Sequence, residues 1–410
     1  MTGGVLVVGA SQAGVQLGAS LREHGYDGPV TLVGAEPQPP YQRPPLSKAY
    51  LGGAADSASL ELRDQAFYAN RRIDLLPAER VTHIGRGTAL TDQGRVLDFD
   101  HLALTVGARA RRLTVPGSDL TGVCYLRDLA DAALLRRHLT RARHVVVVGG
   151  GFIGLEVAAV ARSDGRSVTV VEAAPRLMAR AVAPTVSEFY RHAHARRGTE
   201  VLLGAQLTRI DGEHGRVAGV SLADGTRLPA DLVVAGVGVV PRTELAEQLG
   251  LACDGGIVVD EFARTSDPSI VAAGDCTVMP NPVTGEGRVR LESMPNAIAQ
   301  ARVAAATLIG KARPYADVPW FWSDQYDLKL QIAGVADGYD QVVVRGEPES
   351  EAFSALYYRG GELLAVNAVN RTADYLVVRK ALASRTPLPA DRAAHADVPL
   401  KDLLVATPAP

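Results

Sequence analysis

The feature that most constrains the fold is the stretch at residues 144–172, which reads HVVVVGGGFIGLEVAAVARSDGRSVTVVE. Its four consecutive valines predict a parallel strand that is buried on both faces. Gly149, Gly151 and Gly154 follow with the spacing of a turn whose backbone N–H groups approach a pyrophosphate and whose next helix packs closely. We expect that helix at about residues 152–164, with the positive end of its dipole at the phosphates. The stretch therefore predicts a dinucleotide-binding unit.

An acidic residue ends the second predicted strand of this unit. Residues 167–171 form the strand, and Glu172 follows about twenty residues after the glycines, where a carboxylate binds both hydroxyls of an adenosine ribose. A 2′-phosphate at that place would meet a like charge, and two such charges ~4 Å apart at an effective dielectric of ~20 repel by about 4 kcal/mol. The sequence therefore predicts a preference for NADH over NADPH, which Arg176 and Arg180 could offset because they lie close in sequence.

A second glycine turn lies near the N-terminus. VLVVGASQAG at residues 5–14 predicts a strand and a turn with glycines at Gly9 and Gly14, and a serine, Ser11, takes the place of the middle glycine. A helix to about residue 24 and a strand at residues 30–33 follow, and Glu36 is the acid after that strand. Two dinucleotide folds in one chain suggest two different dinucleotides, one of them a flavin.

Composition narrows the possible partners and the compartment. The 410 residues are 47% hydrophobic, enough for two or three domains with large cores. Lys and Arg number 43 against 45 Asp and Glu, so no overall basic field favours nucleic acid or a membrane. The three cysteines are far apart without metal-ligand spacing, which is typical of a reducing cytosol, and we predict no metal site. No apolar run reaches the ~20 residues of a membrane span, so we expect a cytoplasmic protein.

A proline-rich segment at residues 40–51, PYQRPPLSKAYL, predicts a bend that leads into a helix with Ser47 as its N-cap. Together with the two glycine turns, this segment resembles the pyridine nucleotide-dependent ferredoxin reductases of bacterial oxygenase systems, in the FAD-dependent pyridine nucleotide-disulfide oxidoreductase superfamily. The resemblance implies that Lys48 lies beside the flavin ring and that Glu156, from GGGFIGLE, lies near it. We expect these two residues to form a charge pair at the hydride-transfer face.

The resemblance also implies further contacts to both nucleotides. The GD of VAAGDC is expected to place Asp275 near the flavin ribityl and pyrophosphate, and the YLR crossover is expected to place Arg127 at the flavin nucleotide. The strand predicted at residues 102–109 departs from the family's Ala-Thr order, since it has Thr105 followed by Val106. The remaining expected contacts to FAD are Ala13, Arg43, Val81, Gly274 and Met294. Those to NAD are Phe152, Ile153 and Gly238.

Two segments after residue 290 complete the resemblance. ESMPNA at residues 292–297 begins a predicted helix to about residue 309, whose N-terminus can stabilise negative charge on a flavin. WFWSDQ holds both tryptophans of the chain, and the resemblance places Trp322 against the flavin on the side that faces the partner protein. Because the chain is nearly neutral overall, a small acidic two-iron two-sulfur ferredoxin must dock on a local basic surface, for which Arg302 is the leading candidate.

The predicted fold class is α/β, with two Rossmann-like dinucleotide-binding domains and a C-terminal α+β interface domain. We expect an FAD domain at residues 1–112 and 241–318, an NAD domain at 113–240 and the interface domain at 319–410. The predicted function is NADH-dependent reduction of a ferredoxin that serves a cytochrome P450 or other oxygenase, by a monomer or weak dimer.

Two alternatives stay open. A flavin disulfide reductase or NADH oxidase of the same fold needs a cysteine near the flavin, and the expected CxxxxC after the first glycine turn is absent, since the first cysteine is Cys124. An NADH-sensing flavoprotein without a ferredoxin partner would share all the nucleotide motifs.

Overall fold

The computed structural model describes residues 3–405. Its internal contacts divide the chain into two compact units. The first unit comprises the chain up to Gln42, Ala58–Arg109 and Val240–Phe321. The second unit comprises Arg43–Ser57, Ala110–Val239 and the chain from Trp322 onward.

The α-helices predicted in the two glycine units and in the stretch after residue 292 are present. In the described part of the chain, short 3₁₀ turns accompany them at Pro44–Ser47, Ala58–Leu60 and Pro348–Ser350. The helices are α1 (Gln12–Glu23), α2 (Gln65–Asn70), α3 (Leu129–Leu139), α4 (Phe152–Ser163), α5 (Pro184–Arg196), α6 (Glu244–Gln248), α7 (Met294–Leu308), α8 (Thr372–Ser384), α9 (Ala390–Ala393) and α10 (Leu400–Leu403).

The strands before residue 242 are β1 (Val5–Val8), β2 (Val30–Val33), β3 (Asp74–Leu76), β4 (Val81–Ile84), β5 (Thr88–Thr91), β6 (Val96–Asp98), β7 (His101–Leu104), β8 (Ala108–Ala110), β9 (Val123–Tyr125), β10 (His144–Val148), β11 (Ser167–Glu172), β12 (Thr199–Leu203), β13 (Leu207–Glu213), β14 (Arg216–Leu222), β15 (Arg227–Pro229), β16 (Leu232–Ala235) and β17 (Val239–Pro241). Those after it are β18 (Ile257–Val258), β19 (Ile270–Ala272), β20 (Thr277–Pro280), β21 (Arg288–Val289), β22 (Trp320–Gln325), β23 (Leu328–Gly334), β24 (Gln341–Glu347), β25 (Ala352–Arg359) and β26 (Glu362–Val369).

A parallel sheet with the order β19-β7-β1-β2-β3 forms the centre of the first unit. Its β1 is a run of four buried apolar residues, as a strand covered on both faces requires. Helices α1 and α7 pack on this sheet through residues that include Leu17 of α1 and Ala301 of α7, neither of them exposed. The carboxyl ends of parallel strands are where such sheets bind ligands, so the first glycine turn lies at the expected edge.

The second unit contains its own parallel sheet, with the order β12-β11-β10-β16-β9. The valines of β10 are buried, and Val146 and Val148 pack into an apolar cluster with the antiparallel strands β13 and β14. The unit also contains the sheet β22-β23-β26-β25-β24, in which β23, β26, β25 and β24 are antiparallel. The predicted α/β class with two Rossmann-like sheets is confirmed.

Two local predictions are wrong. The strand predicted at residues 102–109 is interrupted after Leu104, because the Thr105 hydroxyl donates to the Gly9 carbonyl at 2.8 Å and Gly107 has a φ of +63°. Ser47 does not cap a helix: it is the last residue of the turn Pro44–Ser47, whose prolines favour this tight bend.

Candidate functional site

The first glycine turn is held by backbone contacts that leave no room for side chains. Gly9 has a φ of +116°, a conformation that favours glycine. A Cβ added at Gly14 would lie 2.0 Å from the Gly9 carbonyl oxygen, so α1 packs directly on the turn. Ser11 is the N-cap of α1 with an extended backbone, and Ala13 is buried in its first turn. The departure from glycine at Ser11 therefore leaves the geometry of the turn intact.

The acid predicted after β2 is oriented by a tyrosine. The Tyr41 hydroxyl donates a hydrogen bond to Glu36 Oε2, and Tyr41 is buried. Val81, another expected FAD contact, is the buried first residue of β4. Sequence reasoning missed Tyr41, although it lies in the proline-rich segment that the family resemblance includes.

The turn at Gly274 and Asp275 lies against the first turn of α1 in the first unit. A Cβ added at Gly274, whose φ is +89°, would lie 3.4 Å from the Cβ of Ala13. The buried Gln300 of α7 fixes this turn, since its Oε1 accepts from Gly274 N at 2.8 Å and from the Thr277 hydroxyl at 2.9 Å. The structure therefore brings Asp275 and the first glycine turn together, as expected if both bind the same nucleotide.

The N-terminus of α7 offers a buried acceptor. Met294 is the first residue of the helix, and the Ser293 side chain caps it by accepting from Asn296 N at 3.2 Å. Asn296 is 2% exposed and donates to the Leu291 carbonyl at 2.9 Å, yet within residues 3–405 its Oδ1 has no hydrogen-bond partner. A buried polar atom without a partner is costly. A ligand with N–H or O–H groups, such as a flavin, fits this position.

The second glycine turn has open space at Gly151, where a phosphate is expected to approach. A Cβ added at Gly154 would lie 2.2 Å from the Gly149 carbonyl oxygen, which explains the close packing of α4 on β10. A Cβ added at Gly151, by contrast, meets no atom within 4 Å. Phe152 and Ile153 begin α4, and Ile153 is 39% exposed, an unusual exposure for a large apolar side chain. This open, partly apolar turn fits a dinucleotide.

Glu172 is fixed at the edge of this turn. Its Oε2 accepts from Gly150 N and its Oε1 accepts from Ala174 N, each at 2.6 Å. The guanidinium of Arg176 donates to the carbonyl oxygens of Val182 and Ala179 at 2.6 and 2.5 Å, so it is held by its own loop. Arg176 is therefore a poor candidate for a 2′-phosphate ligand.

Arg180 lies beside Gly238. Gly238, an expected NAD contact, has a φ of +91°, and a Cβ added there would lie 3.5 Å from Arg180 Nη2. Arg180, unlike Arg176, could therefore bind a 2′-phosphate and offset the predicted preference for NADH.

Lys48 and Glu156 form the predicted charge pair. Lys48 Nζ lies 2.8 Å from Glu156 Oε2, and Glu156 is buried. Ser47 Oγ donates to the same carboxylate oxygen at 2.5 Å, so the serine that was predicted as a helix cap instead binds the catalytic candidate. A second serine, Ser323, donates to Oε1 at 2.6 Å. A buried carboxylate with a cation and two hydroxyl donors is well satisfied.

The sequence did not predict the role of Ser323 and Gln325, two polar residues of strand β22. Side chains alternate across a strand, so Ser323 and Gln325 share one face while Trp322 lies on the other. Ser323 and Gln325 are fully buried, and Gln325 contacts His194 of α5. The sequence shows a serine and a glutamine two positions apart, but it shows neither their burial nor the side chains that they bind. Trp322 is half-buried, and its contact with a flavin stays a prediction.

The two predicted arginines of the flavin nucleotide contact each other. Arg43 Nη1 donates to the Arg127 carbonyl at 2.8 Å, and Arg127 N donates to Asp131 Oδ2 at 3.0 Å. The structure thus brings the proline-rich segment and the YLR crossover together within the second unit.

Arg302, the candidate for docking the partner, lies exposed on α7 of the first unit.

Cys124 and Cys276 do not support thiol chemistry. Burial raises the pKa of both Cys124 and Cys276 to about 12, so each stays a thiol at neutral pH. The three cysteines of the chain are unpaired.

None of the helices in residues 3–405 combines the length and apolar character that crossing a membrane requires.

Comparison with known proteins gives two family matches. Residues 3–301 match the family described as pyridine nucleotide-disulphide oxidoreductase, and residues 320–404 match the family described as reductase C-terminal. Among curated proteins, the chain is 46% identical to rhodocoxin reductase of Rhodococcus erythropolis over 97% of this chain and 93% of that one. It is 42% identical to putidaredoxin reductase of Pseudomonas putida over 99% and 97% of the two chains.

Solved structures agree in fold over nearly the whole chain. The ferredoxin reductase for the CYP199A2 system of Rhodopseudomonas palustris matches with a TM-score of 0.95 and 44% identity, covering 98% of this chain and 100% of that one. The covalent putidaredoxin reductase–putidaredoxin complex matches with a TM-score of 0.94 and 42% identity, covering 98% and 97%.

Proposed function

The chain belongs to the pyridine nucleotide-disulphide oxidoreductase family, and from this membership we propose that it carries electrons from NADH through FAD to a small, acidic two-iron two-sulfur ferredoxin of an oxygenase system. The protein is an FAD-dependent oxidoreductase, a ferredoxin reductase that uses NAD(P)H. Its partner is an iron–sulfur ferredoxin. The acidity of that ferredoxin, the P450 or other oxygenase that it serves, and a monomeric or weakly dimeric state in the cytoplasm are part of the proposal.

The observation that carries the proposal is the presence of two dinucleotide cradles, one in each unit. In the first unit, the turn at Gly9 and Gly14 lies beside the turn at Asp275, and Asn296 Oδ1 supplies a buried acceptor. In the second unit, Gly151 faces open space and Glu172 is fixed next to it. A chain that bound one nucleotide would need only one of these cradles.

We assign the first cradle to FAD and the second to NADH. Glu36 would bind the adenosine ribose of FAD, and Glu172 that of NADH. FAD, when bound, supplies the chemistry that turns a hydride from NADH into single electrons for the ferredoxin. Lys48 and Glu156 would hold a fixed positive and a fixed negative charge beside the flavin, and Trp322 would cover it on the partner side.

The proposal includes three domains: FAD-binding at residues 1–112 and 241–318, NAD-binding at 113–240 and an interface domain at 319–410. Two observations support this division. The second family match begins at residue 320, and the parallel sheet with β10 at its centre takes all its strands from residues 123–235.

Purified protein tests the proposal when it is mixed with NADH and with the ferredoxins that are encoded beside its gene. We expect NADH-dependent reduction of at least one of these ferredoxins at a rate that saturates with its concentration. A long-lived reduced flavin that no ferredoxin reoxidises, together with an NADH-dependent change in particle size, would identify an NADH sensor instead.

Replacing Gly151 with alanine should weaken NADH binding without disturbing the fold. The added methyl group meets no protein atom within 4 Å, but it occupies the space where the pyrophosphate approaches the backbone. We expect KM for NADH to rise by about 10- to 100-fold, the range that ~1.4–2.7 kcal/mol corresponds to. FAD content and Tm should stay unchanged.

The matched control for this variant is Gly85→Ala, which adds a methyl group at ordinary contact distance, 3.6 Å from Thr88 Oγ1, and which belongs to neither glycine turn. It should leave KM for NADH at the wild-type value. A Gly151→Ala protein with wild-type KM would remove this turn from the NADH site.

Replacing Arg302 with glutamate should impair ferredoxin reduction alone. Arg302 is exposed on α7, and a docking site for an acidic partner needs local positive charge in a chain of net charge -2. Raising salt from about 0.05 M to 0.5 M shortens the screening length from roughly 14 Å to 4 Å, so wild-type KM for ferredoxin should rise sharply with salt. The variant should show this high KM already at low salt, while NADH reduces its flavin normally. An unchanged salt profile would exclude Arg302 from docking.

A further inference from the structure

A row of buried hydrogen bonds extends from Glu156 to His194 within the second unit. Ser323 Oγ donates to Glu156 Oε1 at 2.6 Å, Gln325 Nε2 donates to Ser323 Oγ at 3.2 Å, and Gln325 Oε1 lies 2.9 Å from His194 Nε2. All four side chains are at most 3% exposed. We call these four residues the Glu156–His194 row. Helix α4, strand β22 and helix α5 each contribute to it.

The chemistry of the groups fixes the direction of every hydrogen bond in the row. An ionised carboxylate only accepts, so the Ser323 hydroxyl must donate to Glu156. The Gln325 amide then donates to Ser323, which leaves its carbonyl oxygen to accept from His194 Nε2–H. Each donor therefore points toward Glu156, and hydrogen bonds aligned in this way polarise and strengthen one another. The row stabilises the negative charge of Glu156.

His194 ends the row as a neutral donor. Burial lowers the pKa of His194 to about 4, although its bond to Gln325 raises it, so the imidazole is uncharged at neutral pH. Its Nδ1 has no hydrogen-bond partner within residues 3–405, which is unfavourable for a buried polar atom. Within residues 3–405, His194 therefore bonds to its surroundings through Nε2–H.

We propose that Gln325 and His194 are positioning residues, which hold the Glu156 carboxylate in one orientation and thereby hold the ammonium group of Lys48 where hydride transfer from NADH needs it. The distances support this: Glu156 Oε1 receives the row through Ser323, while its Oε2 receives Lys48 Nζ at 2.8 Å and Ser47 Oγ at 2.5 Å. The two oxygens are thus divided between the row and the Lys48 side. This inference rests on the proposed role of the Lys48–Glu156 pair.

The functional test replaces Gln325 with methionine, which has a similar volume but lacks the amide. Rapid mixing of the FAD-bound variant with NADH under anaerobic conditions should show flavin reduction slowed about tenfold, which is ~1.4 kcal/mol of lost stabilisation. The apparent Kd for NADH and the FAD content should match wild type. His194→Leu should show the same defect, and His194→Gln, which returns an N–H at a similar distance, should recover most of the rate.

The matched control is Gln331→Met on β23, since Gln331 is half-buried and accepts a hydrogen bond from the Thr372 hydroxyl outside the row. It should reduce its flavin at the wild-type rate. A Gln325→Met protein that is equally fast, or one whose Kd for NADH and FAD retention worsen along with the rate, would overturn the positioning role. Wild-type protein whose flavin NADH does not reduce would instead overturn the proposed function.

A second measurement needs no catalysis. Protein with ¹⁵N-labelled histidine should show His194, identified by the signal that His194→Gln removes, protonated only at Nε2 at neutral pH. Glu156→Gln should shift the ¹⁵N resonances of His194, although two side chains separate them, and should leave exposed His192 of the same helix unchanged. His194 protonated at Nδ1, or a His194 signal indifferent to Glu156→Gln, would contradict the row.

Discussion

The Asp275→Ala variant should emerge from gel filtration colourless, while the wild-type protein emerges yellow with bound FAD. Asp275 follows Gly274 in the turn that lies against the first turn of α1, beside the glycines of the first cradle. A carboxylate there would accept a hydrogen bond from a ribityl hydroxyl, and a hydrogen bond to a charged group contributes about 1.5–3 kcal/mol. Losing one such bond weakens FAD binding by roughly 10- to 150-fold.

We expect the loss of FAD because the carboxylate is removed, and not because the turn is disturbed. Asp275→Asn keeps an acceptor without the charge and should retain part of the FAD. Asp254→Ala removes an exposed carboxylate elsewhere in the first unit and should leave the FAD content at the wild-type level. The ratio of flavin to protein absorbance measures the FAD content of all three variants. An Asp275→Ala protein with full FAD content would remove Asp275 from the cradle.

The wild-type protein should prefer NADH over NADPH by roughly a hundredfold in kcat/KM. Glu172 cannot turn away from a 2′-phosphate without losing the hydrogen bonds from Gly150 N and Ala174 N, both at 2.6 Å. The bare repulsion of about 4 kcal/mol falls when water screens it, which leaves the ~2.7 kcal/mol that a hundredfold ratio requires. Glu172→Gln removes the charge and keeps an acceptor, so its preference should fall below about tenfold.

Arg180 provides the control for this prediction. Its guanidinium lies beside Gly238, whereas that of Arg176 is bound to the Val182 and Ala179 carbonyl oxygens. In the Glu172→Gln background, Arg180→Ala should lower kcat/KM for NADPH, and the same change should affect NADH little. Equal kcat/KM of the wild-type protein for both nucleotides would show that Arg180 outweighs Glu172.

The parts of the site that the sequence predicted are those with local signals. A glycine turn, the strand before it and the helix after it lie within about thirty residues, and their geometry follows from glycine conformation and close packing. The Lys48–Glu156 pair joins residues far apart in the chain, and only the family resemblance predicted it. The same resemblance gave no reason to interrupt the strand at residues 102–109, where Thr105 binds the Gly9 carbonyl.

The remaining parts of the site depend on tertiary contacts without a local signal. Ser47 lies 109 positions from Glu156, Ser323 lies 167 positions from it, and Gln325 lies 131 positions from His194. A serine after two prolines has the pattern of a helix cap, and only the packed structure shows that its hydroxyl reaches a buried carboxylate. Arg176 likewise resembled a phosphate ligand by its position in sequence, yet its loop folds around its guanidinium.

The function proposed for this protein is electron transfer from NADH through FAD to a ferredoxin. The most direct test follows flavin and ferredoxin absorbance together in an anaerobic rapid-mixing experiment. NADH should bleach the flavin in a fast, saturable phase, and added ferredoxin should then restore the flavin absorbance as two one-electron ferredoxins are reduced per NADH. A flavin that NADH does not bleach, or a bleached flavin that persists with every candidate ferredoxin, would contradict the account.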